Sequence, residues 1–181
     1  MRKNEFRTAQ ISDRAIWTYR KHIPRGCAKL DQWNCGALPE QLRSTIAGLT
    51  PEQLDTPYRP QGWTVRQVVH HIADSHLNSM IRFKLTLTED TPTIKTYFED
   101  RWADLADYRL LSLESSLSFI ASLHERWVIL LRSLDRNDLS KEFMHPDSGR
   151  VDLARNIGIY AWHGQHHLAH ITGLIERMGW K

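Results

Sequence analysis

A chain of 181 residues, 41% hydrophobic and 25% charged, has the balance of one globular domain and excludes a disordered protein. Its net charge of +3 comes from 24 basic and 21 acidic residues that are spread along the chain, which argues against nucleic-acid binding; the one loose basic cluster, Arg20, Lys21, Arg25 and Lys29, reads as solvated surface. No apolar run reaches the ~18 residues of a membrane span, and residues 1–10 lack the apolar middle of a secretory signal, so a cytoplasmic protein with no membrane partner is expected.

Residues 1–33 have weak periodicity, broken at Pro24-Arg25-Gly26, and read as an N-terminal arm without an assignable structure ahead of a helical domain at 34–181. Cys27 and Cys35 do not have CxxC spacing and read as reduced, structural thiols. Leu42, Ile46 and Leu49 mark an amphipathic helix over 38–49. Thr50-Pro51-Glu52-Gln53 starts a short turn, because threonine caps and proline suits the first helical position. Pro57, Pro60 and Gly62 then punctuate a loop.

Thr64 and Gln67 form a capping box at the start of the next helix. Val65, Val68, Val69, Ile72, Met80 and Phe83 make its apolar face to about residue 88. A long connection over 92–111 follows, containing Trp102, Leu105 and Tyr108. A third helix over 113–134 aligns Leu117, Ile120, Leu123, Trp127 and Leu131. A connector with a turn at Pro146-Asp147-Ser148-Gly149 leads to a last helix over 152–178, ended by Gly179. Alternation with period two is absent over any useful length, so little sheet is expected. The fold class is all-α: a four-helix bundle in an up-and-down style, with a long connection between the second and third main helices.

The ten histidines are unevenly placed: His70, His71 and His76 form one group, His163, His166, His167 and His170 another. Residues four apart share a helix face, which pairs His163 with His167 and His166 with His170. Measured from the apolar stripe Leu153, Ile157, Tyr160, Leu168, Ile171 and Ile175, His167 lies about 60° away, His163 about 100° and His166 about 160°, toward solvent. His163 and His167 therefore sit at the edge of the core, where two imidazoles can chelate one first-row divalent ion; His170 is a reserve candidate. Gly164 stands where the HExxH protease motif has its glutamate. A third ligand comes from His70 or His71, which flank their own stripe on opposite sides, so periodicity leaves both open, as it leaves open a solvent-facing role for either. Small polar residues Ser75, Asn78 and Ser79 on the His71 side suit a pocket wall and favour His71. His76 points into the apolar stripe and reads as a buried neutral histidine; His124 and His145 read as structural.

Three neutral imidazoles without cysteine leave a coordination position open, as in catalytic rather than structural zinc sites. The ligands fit Zn2+ first and Ni2+ as an alternative.

The run Gly62-Trp63-Thr64-Val65-Arg66-Gln67-Val68-Val69-His70-His71-Ile72-Ala73-Asp74-Ser75-His76 resembles the DinB-like superfamily, in particular its YfiT-type branch of metal-dependent hydrolases. Ile81-Arg82-Phe83-Lys84, Leu87-Thr88-Glu89-Asp90, Tyr160-Ala161-Trp162-His163 with His166-His167, and Leu54-Asp55-Thr56-Pro57-Tyr58-Arg59 carry the same resemblance. It implies a four-helix bundle whose metal is held by one histidine of the second helix and a His-x3-His pair of the last, which correspond to His71, His163 and His167. It also implies a cytoplasmic homodimer acting on a small molecule. Residues 1–33 have no recognised counterpart in the pattern, and 95–102 follow it only loosely.

Three functions compete. A hydrolase would use a metal-activated water, with Asp74 the nearest carboxylate to serve as base. An S-transferase would use a low-molecular-weight thiol of the bacillithiol type. A metal-stabilised bundle used for binding or dimerisation would need no chemistry.

Overall fold

The computed structural model describes residues 36–180; the N-terminal arm, the basic cluster, Cys27 and Cys35 lie outside them. The helices are α1 (Leu38–Ile46), α2 (Pro51–Leu54), α3 (Val65–Thr88), α4 (Glu99–Ala103), α5 (Ala106–Leu110), α6 (Leu113–Ser133), α7 (Arg136–Ser140) and α8 (Leu153–Met178), with strands β1 (Glu142–His145) and β2 (Gly149–Asp152) between α7 and α8. No helix among the described residues is long and apolar enough to cross a membrane.

Local signals start and stop α3 and α8 close to where the sequence places them, whereas α1 ends at Ile46, short of the expected 49. Thr64 Oγ1 accepts from the Gln67 amide at 3.1 Å while Gln67 Oε1 accepts from the Thr64 amide at 2.9 Å, a reciprocal box that satisfies two otherwise unpaired donors. Asp152 caps α8 through the Arg155 amide at 2.6 Å, and Gly179 ends it in the left-handed region at φ 63°, which costs glycine nothing.

α1, α3, α6 and α8 form the four-helix bundle. Both α1 and α3 pack against both α6 and α8, so the order around the bundle is α1, α6, α3, α8. Helices that follow one another from α1 to α3, and from α6 to α8, therefore lie across the bundle rather than side by side, as an up-and-down arrangement would have them. The connectors over 47–64 and 134–152 span this diagonal because they carry their own short elements, α2 in the first and α7 with the hairpin in the second.

That hairpin is the small sheet. Glu142 pairs with Asp152 and His145 with Gly149, and Phe143 and Val151 are buried. Four-residue strands are too short to announce themselves by alternation. The connection after α3 joins the hairpin through a parallel bridge of Thr93 to Met144, then forms α4 and α5 where a plain connection was expected.

Two apolar clusters fill the bundle. One joins Leu42, Val68, Ile72, Ile120 and Ile171; the other joins Phe83, Trp127, Leu131, Phe143 and Ile157. Between them α3, α6 and α8 contribute a polar layer of Ser75, His76, Ser79, His124 and Asn156, all buried, with His163 beside it.

Gly164 is buried in α8 at the closest approach of α1. A Cβ there would stand 2.6 Å from Leu38 Cδ2, and Leu38 is itself buried. Gly164→Val is expected to lower stability by about 1–3 kcal/mol through overpacking, read by urea unfolding. Gly164→Ala should cost less, since alanine in a helix interior recovers up to about 1 kcal/mol. Full stability of the valine variant would show that α1 does not close on α8 at this point.

Candidate metal centre

His71 is presented by the second turn of α3, and His163 and His167 by successive turns of α8. Their ring nitrogens meet: His163 Nε2 lies 3.2 Å from His71 Nε2 and 3.1 Å from His167 Nε2. The three form the one group of at least three His, Cys, Asp or Glu among the described residues whose ligand atoms all lie within 4.8 Å of one another. Nitrogens held tetrahedrally at zinc–nitrogen distances of about 2.0–2.1 Å stand roughly 3.3 Å apart, so the spacing suits a shared first-row ion.

The protonation states suit it too. Burial pushes His71 down to about 4. Burial first, then the neighbouring imidazoles, holds His163 and His167 well below the ordinary histidine range. All three rings are therefore neutral at pH 7, with lone pairs free to act as ligands.

The rings are held in two different ways. His163 Nδ1 lies 3.4 Å from His76 Nε2, and His76 Nδ1 lies 2.8 Å from His124 Nε2, so three buried or half-buried imidazoles from α8, α3 and α6 form a chain. If Nε2 of His163 carries a free lone pair, Nδ1–H donates to His76, and His76 in turn donates from Nδ1 to His124. This ordering fixes each tautomer, the usual service of an outer partner to a ligating histidine. His71 Nδ1 and His167 Nδ1 have no such partner. These two rings are instead packed by Trp63, whose ring centroid is 4.6 Å from that of His71 and 6.4 Å from that of His167.

The structure separates His70 from His71, which periodicity could not. His70 turns toward α6, with Nδ1 2.7 Å from Ser116 Oγ and its ring 5.3 Å from that of Tyr108. Neither faces solvent: His70 is 3% exposed and His71 5%. The expectation that His166 points to solvent is also corrected; it is half-buried, stacked on Trp162 at 4.4 Å. His170 stacks on Tyr58 at 4.1 Å and takes no part in the group. His145 accepts from the Asp147 and Ser148 amides, both at 3.2 Å, and closes the hairpin turn.

Of the small polar residues expected on the pocket wall, Ser75 reaches the centre, with Oγ 3.4 Å from His163 Nε2. Ser79 instead accepts from Asn156 Nδ2 at 3.2 Å and ties α3 to α8, while Asn78 donates back to the Asp74 carbonyl at 2.8 Å. Asp74 is committed elsewhere as well: its carboxylate accepts from the Tyr108 hydroxyl at 2.6 Å, and burial raises its pKa although that bond opposes the rise.

Tyr97 was missed by residue-level reading. It comes from the connection before α4, packs on Trp102 at 4.5 Å and lies near Ser75; burial first, then the nearby Tyr160, raises its pKa although Ser75 opposes the rise. Tyr97 is thus a phenol at any physiological pH. The loosely matching stretch 95–102 was its one signal.

The sequence profile of the DinB superfamily matches residues 37–171. A relative from Oceanobacillus iheyensis named a "putative metal-dependent hydrolase" is 57% identical over 143 residues, 79% of this chain and 83% of its own length. A relative of the same name from Bacillus cereus is 54% identical over 166 residues, covering 91% of this chain and 94% of its own, so that similarity reaches into residues before 34. Among solved structures, YfiT from Bacillus subtilis, described as a probable metal-dependent hydrolase with an unusual four-helix bundle topology, superposes with a TM-score of 0.81 at 48% identity, over 83% of this chain and 88% of that one. TT2238, a four-helix bundle protein, shares the fold at a TM-score of 0.53 and 20% identity, over 79% of this chain and 98% of its own. On the extent of the profile match and the identity to these relatives, the chain belongs to the DinB superfamily.

Proposed function

We propose that the protein is a metal-dependent hydrolase of a small-molecule amide or ester, with one divalent ion, Zn2+ before Ni2+, held by His71, His163 and His167. The observation that carries this reading is the convergence of three neutral Nε2 atoms, two of them 3.1 Å and 3.2 Å from the third. The names of the close relatives support it. No fourth His, Cys, Asp or Glu joins the group among the described residues, which leaves room for a substrate atom or water. An ion in such a three-histidine site supplies Lewis acidity and brings a coordinated water toward a pKa of about 7.

The chain's own groups do the rest. Ser75 and Tyr97 place two hydroxyls beside the histidines, and Tyr97, held as a phenol, can donate to an oxygen that gains negative charge. Trp63 packs against the His71 and His167 rings.

One observation favours a second reading. Asp74, the carboxylate expected to serve as base, is bonded to Tyr108, so it is not free to take a proton from a water nucleophile. A thiol, with a free pKa near 8.5 against 15.7 for water, needs less help. In an S-transferase the same histidines would serve a thiolate. Metal-dependent conjugation of a low-molecular-weight thiol to monochlorobimane, without hydrolysis of a p-nitrophenyl ester, would select that reading.

Metal analysis of the purified protein is expected to give about one ion per chain. Replacing His163 and His167 together by alanine should remove it, and His166→Ala should retain it. An ion retained by the double variant would refute the ligand assignment. Tyr97→Phe should keep the metal and lower kcat for a p-nitrophenyl ester by about 10- to 100-fold, the scale of one lost oxyanion donor. An unchanged kcat would remove Tyr97 from the reaction.

A further inference from the structure

α3 carries one polar stripe through the bundle. His71, Ser75, Asn78 and Arg82 fall four, three and four residues apart, which places them on one face. Helical side chains lean toward the N-terminus, so the Arg82 guanidinium leans back toward the turn of Ser75. It donates to the Tyr160 hydroxyl at 3.3 Å, and the Tyr160 ring lies 5.6 Å from that of His163. Arg82 is therefore joined to the histidine group through a single aromatic residue.

What surrounds this cation is unusual for its position. Arg82 is half-buried, yet its partner among the described residues is a neutral phenol. Three arginines meet acids, Arg43 with Glu114 at 2.6 Å, Arg66 with Asp55 at 2.7 Å and Arg150 with Glu142 at 2.9 Å, whereas Arg82, like the exposed Arg59 on Tyr58, meets a phenol. His145 of β1 lies within the field of Arg82, and Tyr97 lies close to Tyr160. Four segments, α3, α8, β1 and the connection before α4, thus gather a guanidinium, two phenols and an imidazole; carboxylates stand beside His145 (Asp147) and Tyr97 (Glu99 and Asp74), but among the described residues none forms an ion pair with Arg82. A charge drawn partly out of water is stabilised when an opposite charge reaches it.

We propose that the substrate carries a carboxylate, bound by Arg82 and oriented by Tyr160, while its reacting carbonyl lies at the three histidines. This rests on the hydrolase reading above and adds the substrate's chemical class. The guanidinium fork matches a carboxylate in two parallel hydrogen bonds, and Tyr160 links Arg82 to His163.

The test compares mono-p-nitrophenyl glutarate with p-nitrophenyl valerate on the metal-loaded protein; the two esters have the same acyl length and differ in the terminal carboxylate. The glutarate ester should be preferred in kcat/KM by about tenfold or more. Arg82→Gln should bring that ratio near 1, mainly through KM of the anionic ester, and Arg82→Lys should keep part of it. Free glutarate should raise the Tm of the wild type and leave that of Arg82→Gln unmoved. A wild-type ratio near 1, or a ratio that survives Arg82→Gln, overturns the proposal while hydrolysis of both esters leaves the hydrolase reading standing. Failure to hydrolyse either ester, with the glutarate shift present in the wild type and lost in Arg82→Gln, does the reverse.

Discussion

The contact on which this bundle turns is the one that His163 makes with its neighbours. One ring nitrogen faces His71 and His167 and the other faces His76. A buried imidazole without partners is costly, so the separation and rotation of α3 against α8 are set by this ring as much as by apolar packing. Gly164, the next residue, allows Leu38 of α1 to close over the same turn. The core is accordingly split into an apolar cluster on either side of the polar layer, and the low dielectric of those clusters strengthens each hydrogen bond between them.

The long connection between α3 and α6 is part of the site rather than a link past it. It is anchored at one end by the Thr93 bridge to β1 and in its middle by Gln67, whose side-chain amide donates to the Ala103 carbonyl at 3.0 Å. Between these anchors Tyr97 reaches Ser75. Farther on, Tyr108 takes the Asp74 carboxylate. The same segment thus brings a phenol near Ser75 and ties up the Asp74 carboxylate.

Much of this was legible in the residues because the signals were local. Capping boxes at Thr50 and Thr64 begin helices where they stand, and the stripes of α3, α6 and α8 are buried as read except at Leu168, which is half-buried. The His-x3-His spacing brings two rings to one point because helical geometry alone requires it. The rest depended on partners far away in sequence. His70 and His71 are equivalent until Ser116 and Tyr108 claim the first. His76 and His124, 48 residues apart, have no common local pattern. The diagonal order of the helices follows from how the connectors cross the bundle ends, which no periodicity records. Tyr97 and Arg82 acquire meaning only once the connection and β1 are folded against α3.

Charge links the centre to the Arg82 end of the same helix face. The three histidines are neutral, and Asp74 is tied to a tyrosine, so a divalent ion held by them would keep its full charge. Arg82 adds another positive charge along the same face of α3 without a carboxylate paired to it. Water reaches such a place less easily than the open surface, so the field is weakly screened. A neutral ligand would leave that field uncompensated, whereas an anionic one is drawn in by both ends. The proposed preference for an anionic small molecule rests on this arrangement of donors and cations more than on any proton acceptor among the described residues.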